Sequence, residues 1–320
     1  MDITKAAIAT IALMSSSVLM AHDARPITAA GPDGELAGTL LAPAEGKPLV
    51  LIIPGSGPTD RDGNSPLGIS ASTYRMLAED LAARGIGSLR IDKRGMFGSA
   101  AAVKDANAVT IDDYVQDIAA WIAAARMETS AECIWLAGHS EGGLVALSAA
   151  GEVDNLCGLI LIAAPGRPLG MIMREQFTAN PMNAPILPDA MAAIDALEAG
   201  ERVDVSAMHP ALQGVFAPQV QGFLIDLFAR DPAALIADTD LPVLIVQGEA
   251  DIQVASADAK ALSTAQPVAR FASLPGVNHV LKDVGNADRA QNMASYANPE
   301  LPIAPTVTVA IADFVLDQQE

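Results

Sequence analysis

Cysteine occurs only twice in this chain of 320 residues, at Cys133 and Cys157, with no CxxC pair and no cysteine–histidine cluster. That scarcity argues against a structural zinc site. Each cysteine stands at the start of an apolar stretch that reads as a core strand, and the two strands are expected to be neighbours. The expectation is two small buried apolar side chains, with a disulfide as the alternative that geometry alone decides. Basic residues are scarce as well. Nineteen Lys and Arg stand against 38 Asp and Glu, leaving a net charge of −19, and only six of the cations are lysines. A surface of that sign disfavours nucleic acid and anionic membranes as partners, and reads most simply as solubility. Aromatic residues make up 4% of the chain although 51% of it is hydrophobic, much of that alanine. Periodic apolar segments broken by Gly and Pro nevertheless describe a globular protein of ample core, not a disordered one. Beyond the first 24 residues no segment is long and apolar enough to span a bilayer.

The first 24 residues allow two readings. Lys5 precedes an apolar stretch over 6–20, as in a short signal peptide, which would place the protein in the periplasm or outside the cell. Asp2 offsets Lys5, and the residues before Ala21 fit a small-x-small site poorly, so a frayed cytoplasmic N-terminus is the alternative.

What the chain does have is one stretch of unusual chemistry. Gly138-His139-Ser140-Glu141-Gly142 fits G-x-S-x-G, with an apolar run over 133–137 before it and a helix-like run over 144–150 after it, closed by Gly151. A serine at such a strand-to-helix turn is pushed into the open by a tight backbone that glycines two residues either side permit. The other reading is a plain glycine-rich turn capping a helix. Around this stretch strands alternate with helices. Strands are expected over 35–42, 48–53, 86–92, 157–164, 241–248 and 269–274. Helices are expected from Ser72 as cap to Gly85, from Thr110 with Asp113 as a capping box, and over 305–316. That rhythm implies an α/β fold, a mostly parallel central sheet flanked by helices.

A serine hydroxyl needs a base, and four histidines allow elimination. His22 lies in the N-terminal segment, His139 should be aimed away by the turn it shares with Ser140, and His209 precedes Pro210 in a region without strands. His279 remains, in a loop after the last expected strand, at the carboxyl ends where such sheets bind ligands. The group that orients it is expected to be Asp251, just after the strand over 241–248, with Glu249 and Asp283 as competitors. Two backbone donors should face an oxyanion: the N–H of Glu141, whose side chain is expected to matter little, and the N–H of Ser56 in Gly55-Ser56-Gly57.

Gly138-His139-Ser140-Glu141-Gly142-Gly143, Asp251 and Gly276-Val277-Asn278-His279 resemble the serine hydrolases of the α/β-hydrolase fold. The run over 54–64, Pro-Gly-Ser-Gly-Pro-Thr-Asp-Arg-Asp-Gly-Asn, with 90–95, Arg-Ile-Asp-Lys-Arg-Gly, resembles the bacterial EstD-like carboxylesterases, relatives of the prolyl-oligopeptidase-type hydrolases. The resemblance covers about 36–166 and 241–318. It implies a serine esterase acting on small short-chain acyl esters without metal or cofactor. A peptidase, a thioesterase and a non-catalytic binding module are the alternatives. Asp60, Arg61, Asp62, Asp92 and Arg94 are expected to pair and hold the loops beside the site.

Residues 25–166 and 239–320 are thus read as the core, and 167–238 as an inserted helical cap, since a structureless connection of that length is improbable. Its large apolar side chains, among them Met171, Met182, Phe216 and Phe228, are expected mostly to pack it onto the core, and its carboxylates Glu175, Asp189, Asp195, Glu198 and Glu201 to form a solvated face.

Overall fold

The computed structural model describes residues 24–318. The expected signal segment and His22 therefore lie outside the described residues, apart from residue 24 itself. Eight strands form one sheet: β1 Arg25–Ala30, β2 Glu35–Leu41, β3 Leu49–Ile53, β4 Gly87–Ile91, β5 Ile134–His139, β6 Leu156–Ile162, β7 Val243–Gly248 and β8 Arg270–Leu274. Their order is β1-β2-β4-β3-β5-β6-β7-β8. From β4 to β8 every pairing is parallel, while β1 and β2 form an antiparallel hairpin on the β4 edge. The central strands are apolar throughout because both faces are covered. In β3 the side chains alternate: Leu49, Leu51 and Ile53 enter one core, Val50 and Ile52 the other.

The helices are α1 Thr73–Ala82, α2 Ile111–Thr129, α3 Glu141–Ala150, α4 Leu169–Ala179, α5 Leu187–Glu198, α6 Pro210–Val215, α7 Gln221–Phe228, α8 Pro232–Ala237, α9 Ser256–Ala265, α10 Arg289–Ala294 and α11 Pro305–Asp317. Helices α1 and α11 cover one face of the sheet; α2, α3, α8 and α9 cover the other. Trp121 of α2 is fully buried in the core that Leu49, Leu51 and Ile53 enter. The apolar faces expected for α1, α2 and α11 are the buried ones, and Thr110 and Asp113 do form a capping box.

Several local expectations need correction. Strand β1 was not expected. Its Pro26 breaks the strand pattern, but an edge position tolerates a missing donor. Ser72 does not cap α1 through its side chain; it adopts φ 51°, and the carbonyl of Asp62 accepts the N–H groups of Tyr74 and Arg75 at 3.1 and 3.3 Å. The 54–64 loop therefore supplies what a capping side chain would have supplied. Cys133 and Cys157 are bonded to each other, with Cα atoms 5.2 Å apart, because the register of β5 on β6 sets the two strand starts side by side.

Between β6 and β7 run α4 to α8, with no strand. Part of this segment has its own core, in which Ile194, Leu197, Leu212, Phe216 and Phe228 meet. Leu227 and Ile236, by contrast, pack into the core of the sheet. Met171 and Met182 are exposed, at 47% and 83%, and so do not pack inward as expected. The carboxylates are not merely solvated: Arg174 binds Asp195 and Glu198, and Arg167 binds Glu175. Among the described residues no helix is long and apolar enough to cross a membrane, and no group of three or more His, Cys, Asp or Glu side chains is arranged to hold a metal ion.

Candidate active site

Strand β5 delivers Ser140 to the carboxyl edge of the sheet. The serine has φ 53° and ψ −125°, a backbone conformation that non-glycine residues rarely adopt, and α3 begins with the next residue. The turn closes only because its neighbours lack side chains. A Cβ on Gly138 would strike the carbonyl of Gly142, and a Cβ on Gly142 would strike the carbonyl of Ile53. Ser140 N–H donates to the carbonyl of Ile162 at 2.9 Å, which fixes the turn to β6. The β3–β5 register pairs Ile53 with Gly138, so the loop leaving β3 must pass beside Ser140.

The loop after β8 brings His279 to the same edge, and the loop after β7 brings Asp251. Their side chains are 6% and 1% exposed, and Nδ1 of His279 lies 2.8 Å from Oδ2 of Asp251. The other carboxylate oxygen accepts the N–H groups of Gln253 and Val254 at 2.7 and 2.9 Å. Burial pushes the Asp251 carboxyl up, but the facing imidazole and these hydrogen bonds outweigh it and hold the group below the usual carboxylate range. The competitors are placed elsewhere. Glu249 is exposed and accepts from Ser273, and Asp283 caps its own turn by accepting from Gly285 N–H. The His279 loop is itself pinned. Asn278 donates to Asn292 and Ser295, and its carbonyl oxygen accepts Lys282 N–H, all within buried surroundings.

Ser140 and His279 line one small cavity of about 80 Å³, with Gly55, Ser56, Thr73 and Tyr74 among its other walls. A second cavity of about 180 Å³ also reaches Ser140, walled by Leu144, Leu169, Ile172, Leu227 and Val254. Three of those five walls come from the α4–α8 segment or its helices. The backbone N–H groups of Ser56 and Glu141 meet no acceptor among the described residues, and both residues also line this second cavity.

A model of the family described as Serine aminopeptidase, S33 (Hydrolase_4) matches residues 67–282. The chain belongs to this family. It is 26% identical over 212 residues to Esterase EstD of Thermotoga maritima, a match covering 66% of this chain and 48% of that protein. The chain thus spans about half the length of the curated relative it matches. Among solved structures it resembles a thermophilic esterase from Thermogutta terrifontis, with a TM-score of 0.56 and 19% identity over 93% of this chain and all of that one. It also resembles Est1E of Butyrivibrio proteoclasticus with ferulic acid bound, with a TM-score of 0.55 and 21% identity over 89% of this chain and 95% of that one. The fold is that of the α/β-hydrolases, as the motifs implied.

This Serine aminopeptidase, S33 family member surrounds its candidate site with buried polar side chains whose partners lie far away in sequence. His139, expected to point away from the site, lines the same small cavity as Ser140 and His279, with its ring centroid 4.7 Å from that of His279. Its Nε2 donates to the carbonyl of His279 at 2.8 Å. Burial, then the charge His279 can carry, lower the His139 pKa from 6.5 to about 3, so the ring is neutral. Glu141, whose side chain was expected to matter little, is buried and paired with Lys93 at 3.0 Å. Of the loop charges, Arg61 pairs with Asp92 at 2.5 Å, as expected, while Asp62 pairs with Arg90, which was not among the expected partners. Arg94 does not join them. It binds Asp113 and Asp117 of α2 at 2.8 and 2.7 Å. A signal for these residues existed: four charges within 90–94, Arg90, Asp92, Lys93 and Arg94, crowd the carboxyl end of an otherwise apolar strand.

Proposed function

We propose that the chain is a serine carboxylesterase that hydrolyses short-chain acyl esters through an acyl-enzyme. The observation that carries this reading is the backbone conformation of Ser140 at the β5–α3 junction, beside a cavity shared with the Asp251-bound His279. Ser140 Oγ attacks the ester carbonyl. His279 takes its proton and passes it to the leaving alcohol. Asp251 keeps the proton of the imidazole on Nδ1 and stabilises the ring when it is charged. The N–H groups of Ser56 and Glu141 receive the oxyanion. Water activated by His279 then releases the acid.

The α4–α8 segment serves in this reading as a cap, and the 180 Å³ cavity holds the acyl group against Leu169, Ile172 and Leu227. The names of the relatives favour an ester over a peptide substrate, whereas the family's description keeps an aminopeptidase as the second reading. The Cys133–Cys157 bond supports a periplasmic or secreted location, where disulfides persist.

The test is turnover of p-nitrophenyl acetate and butyrate alongside an aminoacyl p-nitroanilide, with wild type and Ser140→Ala. Ester hydrolysis by the wild type and none above background by the variant is the expected result. A Ser140→Ala protein that keeps near wild-type rate would sink the assignment, and faster anilide hydrolysis would move it to a peptidase.

A further inference from the structure

The buried ammonium of Lys93 touches both segments that supply oxyanion donors. Lys93 is 4% exposed. Its Nζ donates to the carbonyl of Gly55 at 2.7 Å and to Oε1 of Glu141 at 3.0 Å, and the third direction of the ammonium faces the ring of Tyr114, 5.3 Å from its centroid. A charged group so enclosed is costly unless every donor is used, and here each one is. The placement has a consequence for the peptide between Gly55 and Ser56. That unit is planar and trans, so a cation on its carbonyl fixes the direction of the Ser56 N–H at the other end. It also draws electron density along the amide and makes that N–H a stronger donor. Gly55 is held on its other flank as well, where its N–H donates to Tyr74 Oη at 3.0 Å.

Glu141 is tied to the same ammonium, and its N–H is the second donor. Glu141 also lines a cavity that Ser140 lines, so its carboxylate belongs to the residue next to the nucleophile of the proposed reaction. Uncompensated, it would repel an oxyanion; paired with Lys93 it presents no net charge there.

Building on the proposed esterase reading, we propose that Lys93 is a positioning residue for the oxyanion hole, setting the Ser56 and Glu141 donors together and neutralising Glu141 beside the developing charge. It acts through these two backbones and does not touch the substrate. The role predicts an order of rates. Lys93→Met leaves the Gly55 carbonyl loose and the Glu141 carboxylate bare. The double variant Lys93→Met/Glu141→Gln leaves the carbonyl loose but removes the charge. The wild type should be fastest, the double variant intermediate and the single variant slowest.

The experiment measures kcat and KM for p-nitrophenyl butyrate per active site, with sites counted by fluorophosphonate labelling, and the affinity of a trifluoromethyl ketone that forms a tetrahedral oxyanion with serine. In the double variant kcat should fall about 10- to 100-fold with KM little changed, a loss confined to the transition state. The ketone should lose affinity by the same factor as kcat/KM. Glu141→Gln alone, which keeps an acceptor facing Lys93, should lose less of the rate than Glu141→Leu, which removes it. A purely structural role would lower the number of labelled sites and leave kcat per site unchanged, and that outcome overturns the proposal. So does unchanged ketone affinity in the double variant, the one that leaves no orphan charge and is therefore the better placed to fold. Absence of labelling or ester turnover in the wild type would defeat the esterase reading itself. An active wild type with unaffected Lys93 variants would defeat only the role of Lys93.

Discussion

Tyr74 Oη lies 2.8 Å from Nδ1 of His139, and both groups are buried. The carbonyl of His279 can only accept, so Nε2 of His139 carries the proton and Nδ1 is the acceptor. Tyr74 O–H therefore donates to His139, while its oxygen accepts the N–H of Gly55. The result is a continuous chain of hydrogen bonds from the loop after β3, through α1 and the end of β5, to the backbone of His279.

Tyr74→Phe removes the middle of that chain and leaves Nδ1 of His139 and the N–H of Gly55 buried without partners. The expected cost is about 1–3 kcal/mol of stability per orphaned group. Urea unfolding followed by fluorescence measures it. A variant as stable as wild type would show that water or a rearranged loop replaces the hydroxyl.

Acid should weaken the fold through His139. Its pKa is lowered to about 3 in the folded chain, against 6.5 as the ordinary value. Between those limits the unfolded chain binds a proton that the folded chain does not. The contribution is thus complete above about pH 6.5 and is lost as pH falls toward 3, with a slope near 1.4 kcal/mol per pH unit at full effect. The depressed Asp251 carboxyl adds a loss of the same sign at lower pH, as it takes up its proton. His139→Gln keeps a donor and an acceptor but does not titrate, so its stability should fall less steeply from pH 6 to pH 4. Parallel pH profiles for the two proteins would contradict this.

Reducing the Cys133–Cys157 bond, or replacing both residues by alanine, should lower stability by about 3 kcal/mol, given a loop of 24 residues. Activity at 25 °C should persist, because the bond joins the amino ends of β5 and β6 whereas Ser140 stands at the carboxyl end of β5. Loss of turnover in a folded, reduced protein would show that the two ends of the sheet are coupled.

On the proposed mechanism, Asp251→Asn should reduce kcat by about 10³- to 10⁴-fold, since the amide favours the wrong imidazole tautomer. Glu249→Gln should stay near wild type, its carboxylate being occupied with Ser273 at the surface. The reverse result would reassign the third group to Glu249.

Much of the layout was legible before any coordinates. A strand buried on both faces must be apolar along its length, and β3, β5, β6 and β7 announce themselves that way. Glycines two residues either side of a serine mark a turn that side chains would obstruct, and collisions at Gly138 and Gly142 are what their absence avoids. Elimination among four histidines left His279, because chemistry restricts the choice of base. These are local signals, carried by neighbouring residues along one chain segment.

Other features were decided only where distant segments meet. Whether Cys133 bonds Cys157 depended on the stagger of β5 against β6. Whether Arg94 reaches the 54–64 loop or α2 depended on which lay within the sweep of its side chain. Glu141 looked incidental because its partner, Lys93, is 48 residues away in sequence, and His139 looked dismissed because its contact with His279 spans 140 residues. By itself, then, the sequence determined the alternation of strands and helices and the glycine-flanked turn at Ser140, and it nominated His279 and Asp251 as the proposed partners of that serine. Tertiary structure decided the disulfide, the Lys93–Glu141 pair and the Tyr74–His139 chain. A polar side chain shows what it can bond, but burial chooses its partner, and burial is set by how sheet and helices pack.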